Sequence, residues 1–155
     1  MLTSLLPRRI DNAYAGHKFA LWLFGLVVLV KAVIGFNSIF RGEFVASSAD
    51  GIPLDSFTPA GAQAVVSLFA LLGLANLVIC LLCLVVAIRY RAMVPLMFAL
   101  LLLQHLGGKL LQLFLPIVRS GTPPGSAVSL ALLALILAGF GLSLWRRNAR
   151  NDGRA

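Results

Sequence analysis

Four long apolar runs, about Phe19 to Ser38, Ala60 to Ile88, Ala92 to Ile117 and Ser126 to Trp145, occupy most of this chain and decide what it can fold into. A hydrocarbon core of about 30 Å needs roughly 20 apolar residues per helix, and a run of about 18 or more reads as a span. A soluble domain of 155 residues has no interior large enough to bury four of them. Charge agrees: 12% of the residues are charged and 60% hydrophobic, against about 25% charged in a typical soluble domain. Inside lipid every backbone polar group must be satisfied within the chain, which a helix does turn by turn. The predicted fold is all-α, a polytopic membrane protein built as one antiparallel four-transmembrane-helix bundle over residues 1–155.

The net charge of +8 would suit nucleic acid, but its placement points to topology instead. Arg8, Arg9 and Lys18 precede the first span, Arg89 and Arg91 lie in the tight connection between the second and third, and Arg146, Arg147, Arg150 and Arg154 follow the fourth. In any four-span arrangement these nine of thirteen basic residues share one side. The other side has Arg41 and Arg119 with the acids Glu43, Asp50 and Asp55. Lys/Arg excess marks the cytoplasmic face, so both termini are expected there, in a bacterial cytoplasmic membrane, with no nucleic-acid partner. The first run contains Lys31 and has no small-residue site close behind it, so it reads as a retained helix rather than a cleaved signal. The segment from Met1 to His17 mixes leucines with Arg8 and Arg9 and suits the membrane interface. Trp22 and Trp145 fall near the same face, as anchors.

Arg89-Tyr90-Arg91 leaves almost no loop, which makes the second and third helices antiparallel neighbours. Thr58-Pro59 and Thr122-Pro123 each read as an N-cap followed by a first-turn proline. The outer loop, about Ile39 to Phe57, is the one long polar connection; its Asp50-Gly51 suits a tight turn, as in a short hairpin. The similar openings TPAGAQAVVSLFALL and TPPGSAVSLALLAL, with Lys31 and Lys109 in comparable places, suggest two duplicated hairpins.

Small residues recur along two helices. Ala127, Ala131, Ala134, Ala138 and Gly141 mark one face of the fourth; Gln63, Ser67, Ala70, Gly73, Asn76, Cys80, Cys83 and Ala87 mark a seam on the second. Small faces allow the close backbone approach on which packing in lipid depends, so these two are expected to meet inside the bundle, with a homo-oligomer as the alternative use. Cys80 and Cys83 have the C-x-x-C spacing of four-helix membrane oxidoreductases of the vitamin K epoxide reductase and DsbB type, which relay electrons through a second pair. No other cysteine exists here, and both lie on the small seam, so they read as packing residues.

The candidate site is polar. Gln104, His105, Gly108, Lys109 and Gln112 cover about 140° of the third helix at 100° per residue, and Lys31 interrupts the first. With Asn76 they form a candidate pocket of Lys31, Asn76, Gln104, His105, Lys109 and Gln112, with Glu43, Asp50 and Asp55 as loop partners. Ionisable groups within a span are costly and face the interior or a cavity. No acid lies within a span. The lysines are balanced by snorkelling, by loss of the proton, by the loop acids, or by a bound anion. His105 has no second metal ligand at helical spacing, and no catalytic triad, phosphate-cradling loop or carboxylate pair is present. No catalytic residue, metal or cofactor is assigned. Small four-helix multidrug exporters depend on an intramembrane glutamate, which is lacking here.

Lys31 near the end of the first helix, Ala60-Gly61 with Leu71 to Leu74 in the second, and a basic turn before the third resemble DoxX-like bacterial membrane proteins over the first two-thirds of the chain. That resemblance implies a small four-helix membrane unit and transfers no functional residue. The function expected is an accessory or lipid/hydrophobe-binding membrane protein without catalysis, its partners membrane lipids and an anionic amphiphile or quinone. The alternative is a small transporter or quinone-linked enzyme using Lys31, His105 and Lys109.

Overall fold

The structure, a computed structural model, describes Asn12, Tyr14, residues 16–119, Gly121 and residues 123–145. The sequence readings placed on Arg8, Arg9, Thr122 and the arginines after Trp145 lie outside those residues. All regular structure among the described residues is helical: α1 (Lys18–Phe40), α2 (Pro59–Arg89), α3 (Val94–Phe114) and α4 (Pro124–Leu144). All four helices are long and apolar enough to cross a membrane.

Local chemistry sets the boundaries. His17 Nδ1 accepts from Phe19 N–H at 3.2 Å to cap α1. Thr58 Oγ1 accepts from Gly61 N–H at 3.2 Å, with Pro59 in the first turn, as expected of an N-cap. At the far end of α2 the Arg91 guanidinium donates to the Ala87 carbonyl at 3.1 Å, supplying a partner that the last turn lacks. One 3₁₀ turn, Arg91–Met93, then leads into α3. That helix stops at Phe114, three residues short of the expected Ile117, because Leu115 precedes Pro116 and a residue before proline is pushed out of the α region.

The connection after α1 corrects the hairpin reading. It is a helical turn at Gly42–Phe44, a π-helix at Val45–Ala49 and a 3₁₀ turn at Leu54–Ser56. The chain does turn at Asp50-Gly51, where Gly51 adopts φ 71°, a left-handed conformation that favours glycine. Ala46, Ile52 and Leu54 are buried against Val65, Val66 and Phe69, fastening the connection to the start of α2.

α1 packs most extensively on α2 and next on α4, and α3 packs mainly on α4. α2 and α3 share the tight turn but make few contacts beyond it, so sequence adjacency did not make them close packing partners. The α1–α2 crossing rests on two glycines. A Cβ at Gly35 would lie 3.0 Å from the Gly73 carbonyl oxygen, and one at Gly73 would lie 2.7 Å from that of Gly35. Close approach of this kind drives helix association in lipid.

The core sits near the Arg89–Arg91 turn. Phe24, Val27, Cys83, Val94, Phe98 and Ile136 are fully buried, with Phe24 and Phe98 edge to face at 5.0 Å between centroids. Gly139 makes room for the Phe98 ring. Here the small-residue expectation fails for α4. Ala127, Ala131, Ala134, Ala138 and Gly141 are all exposed, and the buried face is Leu132, Ile136, Gly139 and Ser143. Large side chains fill the space between α4 and its neighbours, which turns the alanines outward. On α2 the seam is buried at Gly73, Cys80 and Cys83, whereas Gln63 and Ser67 are exposed. Its partner is α1, not α4: Cys80 Sγ lies 3.7 Å from the Val28 carbonyl oxygen.

Candidate functional site

Above the core, toward the 41–58 connection, lies an open-sided cavity of about 610 Å³ lined by all four helices and the connection. Its volume lies within the roughly 300–1,000 Å³ range of small-molecule sites. The lining residues nearest the Arg89–Arg91 turn are Lys31 on α1, Asn76 on α2, Gln104 and His105 on α3, and Leu132 on α4; they make the floor. Phe44, Val45, Ala49 and Asp50 with Pro124 and Gly125 make the roof. A Cβ at Gly125 would lie 2.6 Å from the Ala49 carbonyl oxygen, so only glycine lets the connection settle this closely on α4. The wall between is largely apolar, from Val33, Ile34, Phe69, Leu72 and Val128.

Lys31 is 7% exposed. The hydrogen bond reaching it from another helix goes to its carbonyl oxygen, from Asn76 Nδ2 at 2.7 Å. Its ammonium has no ion-pair or hydrogen-bond partner among the described residues. His105 Nε2 lies 3.2 Å from Ser129 Oγ, which fixes the imidazole against α4. Asn37 Nδ2 and Ser38 Oγ donate to carbonyls one turn back, at 2.9 and 3.0 Å, and are thereby satisfied. Burial pushes the Asp50 carboxyl above its ordinary range, while Arg119 and Lys109 pull it back down.

The structure thus brings Lys31, Asn76, Gln104, His105 and Asp50 to one cavity. It does not bring in Lys109, Gln112, Glu43 or Asp55. Gln112, Glu43 and Asp55 are exposed. Lys109 is half-buried, one turn beyond His105 and outside the cavity lining. Lys31 and Lys109, matched in the duplicated-hairpin reading, therefore occupy unlike surroundings. Ser129, Asn37, Ser38 and Phe69 were missed from the sequence. Ser129 falls i+24 from His105, a distance that no helical periodicity reports, but Asn37 and Ser38 were visible as polar residues ending an apolar run.

The cavity lining offers one cation, Lys31, the His105 imidazole, the hydroxyls of Ser38 and Ser129, three carboxamides from Asn37, Asn76 and Gln104, and an acid, Asp50, at the opposite end. The Ser129 hydroxyl lies within hydrogen-bond reach of the His105 imidazole, but among the described residues no side chain hydrogen-bonds the other ring nitrogen to complete a nucleophile–base–orienter set. The two cysteines are buried free thiols packed in the core below the cavity. No group of three or more metal-ligating side chains comes together among the described residues. Comparison with protein-family models, with curated proteins and with solved structures returns no match to this chain.

Proposed function

We propose that this chain is an integral membrane protein of four antiparallel spans, with both termini on the cytoplasmic side of a bacterial cytoplasmic membrane, that binds a lipid or other hydrophobic molecule without catalysis. One observation carries the reading: an apolar cavity of about 610 Å³ with a buried, unpartnered lysine at its floor. A bundle this small gains nothing in stability from such a cavity, since unfilled space forfeits packing contacts. An intramembrane ammonium without a counter-charge adds to that cost. Both costs disappear when an amphiphile fills the space and meets the lysine.

The orientation rests on the basic side chains flanking the helices. Arg89 and Arg91 are exposed at the turn, and Trp22 and Trp145 are exposed at that same end of the helices. Mass spectrometry of lipids and quinones retained by gently solubilised protein tests the binding role. A stoichiometric amphiphile is the expected result, and protein that carries only bulk lipid refutes it. A retained quinone would instead favour the second reading, a quinone-linked enzyme or transporter. One feature favours that reading: Lys31 and His105 offer two separate hydrogen-bonding groups at one floor. Reporter fusions at both termini and at Ser48 test the topology.

A further inference from the structure

We propose that the cavity takes a single-chain amphiphile with a carboxylate head, the head seated on Lys31 at the floor and the alkyl chain leaving between α2 and α3. This deepens the lipid- or hydrophobe-binding reading and rests on it. The choice of head follows from charge. Lys31 is more than nine-tenths buried, lines the cavity, and has no counter-charge among the described residues. Asp50, the one acid in the lining, belongs to the roof and lies in the field of Arg119 and Lys109. A single positive charge at the floor is therefore offset by a single negative one. A carboxylate brings one charge and accepts hydrogen bonds on both oxygens, so the ammonium and the His105–Ser129 pair can each take part. A phosphate monoester brings about −1.5 to −2, more than this floor neutralises.

The path of the chain follows from packing. α2 and α3 are joined at the tight turn, and the last buried residue of α3 is Leu101, so the two helices diverge toward the connection. Leu72 and Gln104, which line the cavity from either side of this gap, are both exposed. An alkyl chain rising from Lys31 along Phe69, Leu72 and Val128 stays on apolar wall and enters the surrounding acyl chains without crossing a polar layer.

The test uses the full chain in phosphatidylcholine nanodiscs, with deuterated hexadecanoate, hexadecanol and hexadecyl phosphate as probes, each corrected for uptake by empty nanodiscs. Hexadecanoate should bind one to one, and the alcohol and the phosphate at least about tenfold more weakly. Lys31→Met should lower hexadecanoate to the level of hexadecanol and leave hexadecanol unchanged. If all three probes bind alike and Lys31→Met changes nothing, the carboxylate site is overturned while the hydrophobe-binding reading stands. Stronger binding of hexadecyl phosphate overturns the charge argument, and binding of none of the three overturns the single-chain occupant, while the hydrophobe-binding reading falls only if the solubilised protein also carries bulk lipid alone. Should Lys31→Met fail to fold, wild-type protein irradiated with hexadecanoate carrying a mid-chain diazirine decides the matter. Label on Phe69, Leu72 or Val128 is expected, and label confined to outward residues such as Leu29 and Leu113 refutes the site.

Discussion

At the end of the helices next to the Arg89–Arg91 turn, the positions facing the interior are Phe24, Val27, Cys83, Val94, Phe98 and Ile136, all fully buried. At the other end the corresponding positions are Gly35, Ser38, Gly73, Asn76, Gly125 and Ser129, and there the helices surround a cavity. The difference shows that small residues do not by themselves give tight packing. Gly35 and Gly73 bring α1 and α2 together, while α3 is met at this end by the Ser129 hydroxyl at His105. Beyond Leu101 α3 has no buried residue. Helix association at one end rests on interlocked large side chains, and at the other on close backbone approach at Gly35–Gly73 and two interhelix hydrogen bonds, Asn76 to the Lys31 carbonyl and Ser129 with His105.

Mutations at the two ends should therefore behave differently. The largest effect is expected at the aromatic centre: Phe98→Ala removes the ring held between Phe24 and Gly139 and should cost about 3–5 kcal/mol. Reversible unfolding in mixed micelles would measure it. A loss below about 1 kcal/mol would show that the core is no better packed than the cavity end. Next comes one substitution with opposite signs at two places. Gly73→Ala forces α1 and α2 apart and should cost about 1–3 kcal/mol. Gly107→Ala meets nothing within 4 Å and should gain up to about 1 kcal/mol from helix propensity.

A smaller loss, about 1–2 kcal/mol, is expected when Cys80 and Cys83 are both changed to Ala, because two small side chains leave a packed seam. Loss of a redox phenotype in that double variant would make the pair chemical rather than structural.

The smallest effect concerns Asp50 at the roof. Burial raises its folded-state pKa above the ordinary value of 3.8, so the folded protein binds this proton more tightly than the unfolded chain. Stability then falls as pH rises from that ordinary value through the raised one, and recovers on acidification. Asp50→Asn should remove this slope and tighten the docking of the connection at neutral pH, seen as slower amide exchange over residues 45–52. An unchanged pH slope in Asp50→Asn would show that the carboxyl is as well solvated as in the unfolded chain.

Helix number and approximate length were legible because hydropathy over about 20 residues is a sum, insensitive to any single position. Which way each helix faces was not. On α4 the regular spacing of Ala127, Ala131, Ala134, Ala138 and Gly141 suggested a packing face, yet Leu132 and Ile136 are the buried residues. In lipid both faces are apolar, so a small-residue pattern carries no inside-or-outside sign of its own. The candidate site was legible where polarity was out of place: Lys31, Gln104 and His105 stand out in apolar runs and line one cavity. Lys109 and Gln112 share the polar arc of α3 but lie one and two turns beyond His105, outside the cavity lining, a boundary of tertiary packing that no periodicity encodes. The hairpin expected at Asp50-Gly51 failed for a related reason. Ala46, Ile52 and Leu54 gain a buried cluster on α2 by staying helical, and that cluster exists only once the helices are assembled.

The way α3 is held has a mechanical consequence. It is held over Val94–Leu101 by the core and the tight turn and again at His105 by Ser129 of α4. From Leu106 to Phe114 the length beyond that second hold is about 14 Å at 1.5 Å per residue, so a tilt of about 5° about it moves the tip by about 1 Å. Gln104, at the opening between α2 and α3, lies beside the second hold, so the mouth of the cavity sits at an anchored point of α3 and the travel is left to its exposed end.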